Sequence, residues 1–188
     1  MKIMSVNMSL AEKKIVFTYQ DLLNWEDDQK RHELIEGEHF MTPSPNTHHQ
    51  EISMNLSWFL RTYIERHKLG KLFAAPTDVV LSDMDVFVPD LFFIAKVKIV
   101  HIEKQYVKAA PDLVIEILSP ATADRDRETK FKRYALYGVK EYWIVDPAKR
   151  QIEVFNLARQ ELIERFGKDG VLNTPTFPDI DLEVKKIF

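Results

Sequence analysis

The chain contains no cysteine. Disulfides and thiolate metal sites are therefore excluded, and any strong metal ligand has to come from histidine or a carboxylate. The absence also fits a reducing compartment. Glycine is scarce, with five in 188 residues and no glycine-rich cluster. A phosphate-cradling loop of the P-loop kind is thus missing, and nucleotide hydrolysis built on one is not expected. No serine-centred elbow and no His-Glu-x-x-His pattern occurs, which removes two common hydrolase designs. Long apolar runs are lacking as well. Stretches such as Leu91 to Ala95 are strand-sized, far short of the roughly 20 residues that span a bilayer. Met1 to Lys14 has neither a long apolar stretch nor a small-residue cleavage site. No secretory signal is read there, and a cytoplasmic protein without a membrane partner is expected.

What is present is an ordinary globular composition, 45% hydrophobic and 29% charged, in a chain long enough for one hydrophobic core. The net charge of −3 is unevenly spread. Between Ala121 and Arg150, eight Lys and Arg stand against five Asp and Glu, so this stretch is +3 and the remainder −6. Such a segment suits either a phosphate-facing side or a solvated helix face.

Residues 1–14 read as a flexible tail, and 15–188 as a single domain. Thr18 caps a helix carrying Leu22, Leu23 and Trp25. Gly37 centres a hairpin within Glu33 to Met41. After Pro43 and Pro45, Asn46 or Thr47 caps a long amphipathic helix with Ile52, Leu56, Phe59, Leu60, Tyr63 and Ile64 at helical spacing, ended by Gly70. Short strands are expected at about 71–75 and 78–82. Val86 to Ala95 reads as one buried strand entered through Pro89-Asp90, and Pro111 to Pro120 repeats that grammar. Both are apolar on both faces, as central strands are. Thr122 or Asp124 caps a further helix that Gly138 closes. Strands then follow over Glu141 to Asp146, Gln151 to Phe155 and about Glu161 to Phe166. The pattern is an α/β (α+β) fold: a mixed sheet flanked by helices.

Glu116 is the least expected residue of its segment, a carboxylate between Ile115 and Ile117. Burying it requires compensation, either by an Arg or Lys or by a divalent cation. Mg²⁺ is commonly held by one or two carboxylates together with substrate phosphate. Asp90 offers a second carboxylate from a neighbouring strand, although Asp after Pro also suits a strand entry. Asp112 shares a strand face with Glu116 by its even spacing, and it also suits a turn. Asp126, Lys130 and Tyr134 form one helical stripe; alone, Lys130 reads as the surface partner of Asp126. His49 and Glu33 are accessory candidates, His49 at a helix start and Glu33, with Glu38, beside the hairpin.

The order Glu33-Leu34-Ile35-Glu36-Gly37-Glu38, Pro43-Ser44-Pro45, His49-Gln50, Pro89-Asp90, Glu116-Ile117-Leu118-Ser119-Pro120, Lys130, Gly138-Val139 and Glu141 to Pro147 resembles the Uma-two family of restriction endonucleases. That family lies within the restriction-endonuclease-like, PD-(D/E)XK superfamily. The resemblance spans about residues 18–185. It implies a restriction-endonuclease-like mixed sheet and an endonuclease that hydrolyses DNA with Mg²⁺ (or Mn²⁺) held by Asp90 and Glu116. Leu118 stands where the superfamily has its lysine, and the resemblance assigns that role to Lys130 of the following helix. It implies that His49 positions substrate or a second metal. A homodimer is compatible with the reading, because two strands are commonly cut by two subunits. The alternative is a catalytically inactive nuclease fold that binds nucleic acid or serves a structural role.

Overall fold

The computed structural model describes residues 15–26, 28 and 30–188. The tail expected over 1–14 lies outside the described residues. Helix α1 (Tyr19–Leu23) starts at Thr18, whose side chain accepts the Asp21 N–H in a capping box. Strands β1 (Arg31–Ile35) and β2 (Glu38–Thr42) pair antiparallel. Their turn, Glu36-Gly37, has both residues at positive φ, 53° and 74°, the hairpin geometry that glycine tolerates best. The Asn46 side chain then accepts the His49 N–H and starts the long helix α2 (Thr47–His67).

Helix α2 stops at Lys68, which takes the left-handed conformation. Gly70, expected as the stop, instead opens β3 (Gly70–Ala74). It is needed there for close approach: a Cβ at Gly70 would lie 2.0 Å from the Ile94 carbonyl oxygen. Gly70→Ala is expected to lower stability by about 2 kcal/mol or more, read as a fall in melting temperature.

Strands β4 (Asp78–Ser82), β5 (Asp85–Phe87) and β6 (Leu91–Ala95) follow. The expected single strand over Val86 to Ala95 is therefore divided. Proline has no N–H for a ladder, so pairing breaks at Pro89 and the chain crosses from one sheet to the other through Val88-Pro89-Asp90. The remaining strands are β7 (Tyr106–Val107), β8 (Leu113–Ile117), β9 (Glu141–Asp146), β10 (Gln151–Asn156), β11 (Glu161–Phe166), β12 (Val171–Leu172) and β13 (Leu182–Glu183). Between β8 and β9 lie a π-helical stretch, Arg125–Lys130, and helix α3 (Phe131–Leu136). Asp124 makes no side-chain cap there. Gly138, at φ 82°, follows the helix as expected.

The architecture is mixed α+β. One sheet has the order β2-β1-β5-β4-β7, a second β11-β10-β9-β8-β6-β3, and β12 pairs with β13. Strands β6, β8 and β9 sit inside the second sheet, as their two-sided apolar sequences require. Alternation along them separates two cores. Leu91, Phe93, Leu113, Ile115, Ile117, Trp143 and Val145 pack under Ile52, Leu56, Leu60 and Ile64 of α2. Phe92, Ile94, Val114, Tyr142 and Ile144 face the other way, toward Tyr134 of α3 and Val79 and Phe87 of the first sheet. Among the described residues no helix is long and apolar enough to cross a membrane.

Candidate active site

The same alternation aims Glu116. It shares the face of Val114, so its carboxylate enters the space between the second sheet and α3. Strands β6 and β8 run antiparallel with Leu91 opposite Ile115. One step further along that register, Asp90 falls opposite Glu116. The Asp90 N–H points to Glu116 Oε2 at 3.4 Å, and Asp90 Oδ2 accepts the Ile117 N–H at 2.9 Å. Like charges directly across two strands are unfavourable for a sheet. The pair therefore needs cations, and the chain supplies several.

Lys130 is the central one. The sequence alone placed it on the surface beside Asp126. The pairing exists, at 3.3 Å, but both residues are buried, at 4% and 2% exposure. The Lys130 Nζ also donates to Glu116 Oε1 at 3.0 Å and lies 2.9 Å from Glu33 Oε1. It arrives from the end of the π-helical stretch, an irregularity frequent at functional sites. Three contacts hold this helical segment in place. Tyr142 donates its hydroxyl to the Asp126 carbonyl at 3.0 Å. Tyr134 donates its hydroxyl to Glu116 Oε1 at 2.9 Å. Arg133 Nε donates to buried Asp85 at 2.9 Å, tying α3 to the start of β5.

Of the accessory candidates, Glu33 is part of this cluster, 1% exposed and also accepting the Val88 N–H. Its second oxygen has no hydrogen-bond partner. His49 is buried too, and its Nε2 lies 3.1 Å from both Asp90 Oδ2 and the Ile117 carbonyl. His48 and Glu38 are exposed. Asp112 is not brought to the site. It accepts the Ala95 N–H at 2.9 Å and pairs with Lys98 and Lys140 at the opposite end of β8. Sequence reasoning missed Arg31, whose Nη1 donates to Asp90 Oδ1 at 2.8 Å. Its signal was available: Arg31 alternates with Glu33 along β1, so the two share a face.

The electrostatics follow from this crowding. Burial raises the Glu116 pKa to about 8; Lys130 opposes the rise, while Asp126, Asp90 and Glu33 add to it. Burial also raises Asp126. Burial would raise Asp90 as well, but the contacts from His49, Ile117 and Arg31 outweigh it and hold Asp90 low. Lys130 is held well above its ordinary value: burial works against its charge, and Glu116, Glu33 and Asp126 more than offset that. The cluster thus keeps a charged lysine beside a carboxyl that retains its proton near neutrality. The basic excess of 121–150 does not form a bare positive surface. Arg127 pairs with Glu153, Lys130 with Glu33 and Glu116, and Arg133 with Asp85 and Glu36.

Asp90, Glu116 and Lys130 line one cleft of about 590 Å³, with Arg31, His49 and Arg127. Among the described residues no three His, Asp or Glu side chains form a ready metal cage. The donor set nevertheless fits a hard cation: two adjacent carboxylates and the Ile117 carbonyl are all oxygen, and Mg²⁺ commonly takes few protein ligands, filling the rest with water and substrate.

A family model described as "Uma2: Putative restriction endonuclease" matches residues 18–185. An uncharacterized protein of Synechocystis sp. (strain ATCC 27184 / PCC 6803 / Kazusa) is 25% identical over 148 residues, 78% of this chain and 83% of that protein. The crystal structure of "a putative nuclease belonging to DUF820" from Anabaena variabilis ATCC 29413 is similar at a TM-score of 0.77 and 23% identity, covering 92% of this chain and 97% of that one. At that identity the likeness speaks for the fold.

Proposed function

Since the chain belongs to the Uma2 family, matched over residues 18–185, we propose that it is a metal-dependent endonuclease hydrolysing phosphodiester bonds in DNA. The observation that carries this reading is the convergence of Asp90, Glu116 and Lys130 in one cleft, with the lysine reaching Glu116 from a helix rather than from position 118. Asp90 and Glu116, with the Ile117 carbonyl, would hold Mg²⁺ or Mn²⁺. When bound, the metal polarises the scissile phosphate and lowers the pKa of a bound water.

The chain's own groups have separate tasks. Asp90 enters the cycle already ionised, because His49, Arg31 and the Ile117 N–H stabilise its charge. Glu116 has to lose its proton before it can bind a cation, so cation affinity rises with pH up to about 8. Lys130 stays charged throughout, and its ammonium is positioned to stabilise charge developing on the phosphate. Arg31 and His49 orient Asp90.

A structural ion cluster on an inactive nuclease fold is the second reading. It is favoured by one feature: both Asp90 oxygens are already hydrogen-bonded within the protein. Nicking of supercoiled plasmid separates the two. The nuclease is expected to cut with Mg²⁺ or Mn²⁺, to stop in EDTA, and to lose at least about 100-fold in rate as Asp90→Asn. Cleavage that persists in EDTA, or in Asp90→Asn, overturns the proposed site.

A further inference from the structure

The outer face of α2 has no partner within the described chain. Its exposed residues Thr47, Glu51, Met54, Trp58, Arg61 and Glu65 recur at alternating spacings of four and three, the seam of a two-helix contact. Met54 and Trp58 at its centre are 68% and 63% exposed, beside each other one turn apart. Two large apolar side chains standing adjacent in water mark an interaction surface rather than scattered exposure. Trp58 is also braced, its ring 4.6 Å from that of half-buried Phe59.

The order of residues along the face identifies its occupant. Two copies of α2 placed antiparallel about a two-fold axis at the level of residue 56 bring each residue opposite a fixed counterpart. Met54 meets Trp58 of the second copy, and Glu51 meets Arg61, each pairing occurring twice. Thr47 then faces Glu65. The face is self-complementary in shape and charge, as an isologous two-fold contact requires. In a parallel arrangement Glu51 would meet Glu51 and Arg61 would meet Arg61. The present partners do not oppose the contact: Arg61 pairs with Glu65 at 2.8 Å and Glu51 with His48 at 3.8 Å, both on the exposed surface where such pairs contribute little.

We propose that the chain self-associates as an antiparallel dimer through the Glu51–Met54–Trp58–Arg61 face of α2. The proposal stands independently of the chemistry in the cleft. One helix face per subunit is a small interface, so the expected affinity is roughly micromolar.

Sedimentation equilibrium of the full chain, from about 1 to about 100 micromolar, tests it. The expected result is a monomer–dimer equilibrium. Trp58→Ala and Arg61→Glu are each expected to weaken it by about tenfold or more, since each change counts twice in a symmetric dimer. Combining Glu51→Arg with Arg61→Glu restores the charge match and is expected to recover the association. All four residues are exposed, so the variants keep the fold, which an unchanged melting temperature verifies. A chain monomeric throughout the range overturns the proposal. So does a dimer indifferent to Trp58→Ala, or a charge swap that fails to rescue Arg61→Glu.

Discussion

Glu116→Gln is expected to raise the melting temperature of the metal-free protein at pH 8 while abolishing cleavage. The gain comes from removing a charge that the fold accommodates poorly. In the unfolded chain Glu116 ionises near 4.5, whereas in the fold its pKa is raised to about 8, chiefly by burial. Between those values the folded state binds more protons than the unfolded one, so stability falls as pH rises. Below the lower value the glutamate contributes no penalty, and above the upper one the penalty is complete. Glutamine has the shape of the protonated acid and does not titrate. Lys130 keeps Glu33 at 2.9 Å and Asp126 at 3.3 Å, and the amide oxygen can still accept from Tyr134. The net gain is about 2 kcal/mol at pH 8, or about 4–8 °C in a chain of this size. Calorimetry at pH 4 and pH 8 reads it: the difference between variant and wild type should open with pH. A variant less stable than wild type at pH 8 would show that the ionised Glu116–Lys130 pair is a net stabiliser.

Lys130→Met is expected to have the opposite effect, lowering stability by about 3–5 kcal/mol as well as removing activity. Methionine fills a similar volume, but it leaves Glu33, Glu116 and Asp126 facing one another without their shared ammonium. The penalty comes from those uncompensated buried carboxylates rather than from a lost contact. Adding Glu116→Gln to Lys130→Met should therefore recover part of the loss, and a double-mutant cycle by urea denaturation measures the coupling. If Lys130→Met melted like wild type, the lysine would not be the hub of the cluster.

The two variants show why some of the site was legible in the sequence and some was not. Glu116 was conspicuous because a carboxylate among Val114, Ile115 and Ile117 violates the apolar pattern of its strand. Asp90 was ambiguous, since Pro-Asp also suits a strand entry, and the structure gives it that place at the crossing between sheets. Lys130 carries no local signal: an Asp and a Lys four apart look alike on a solvated and on a buried helix. Only the family order of motifs singled it out. Asp112 stood open between a place at the site and a turn at the strand entrance, and it lies with Ala95, Lys98 and Lys140 away from the cleft. The two-residue period tells which face a side chain takes, not which end of the strand matters, and four residues of strand separate Asp112 from Glu116 by roughly 13 Å.

The fold was read in the same uneven way. Strong local signals placed α1, the Gly37 hairpin, α2, β9 and β11 close to where they lie. The division of Val86 to Ala95 between two sheets was not visible, because both halves are apolar and only tertiary pairing distinguishes them. That division creates the site, since it sets Asp90 at the end of β6 opposite Glu116.

The central claim is that this cluster cuts DNA with a bound divalent cation. The most direct measurement is nicking of supercoiled plasmid in Mg²⁺ by wild type and Glu116→Gln, both verified as folded by their melting curves. The account predicts cleavage by the wild type alone. Cleavage by the folded glutamine variant at the wild-type rate would contradict it.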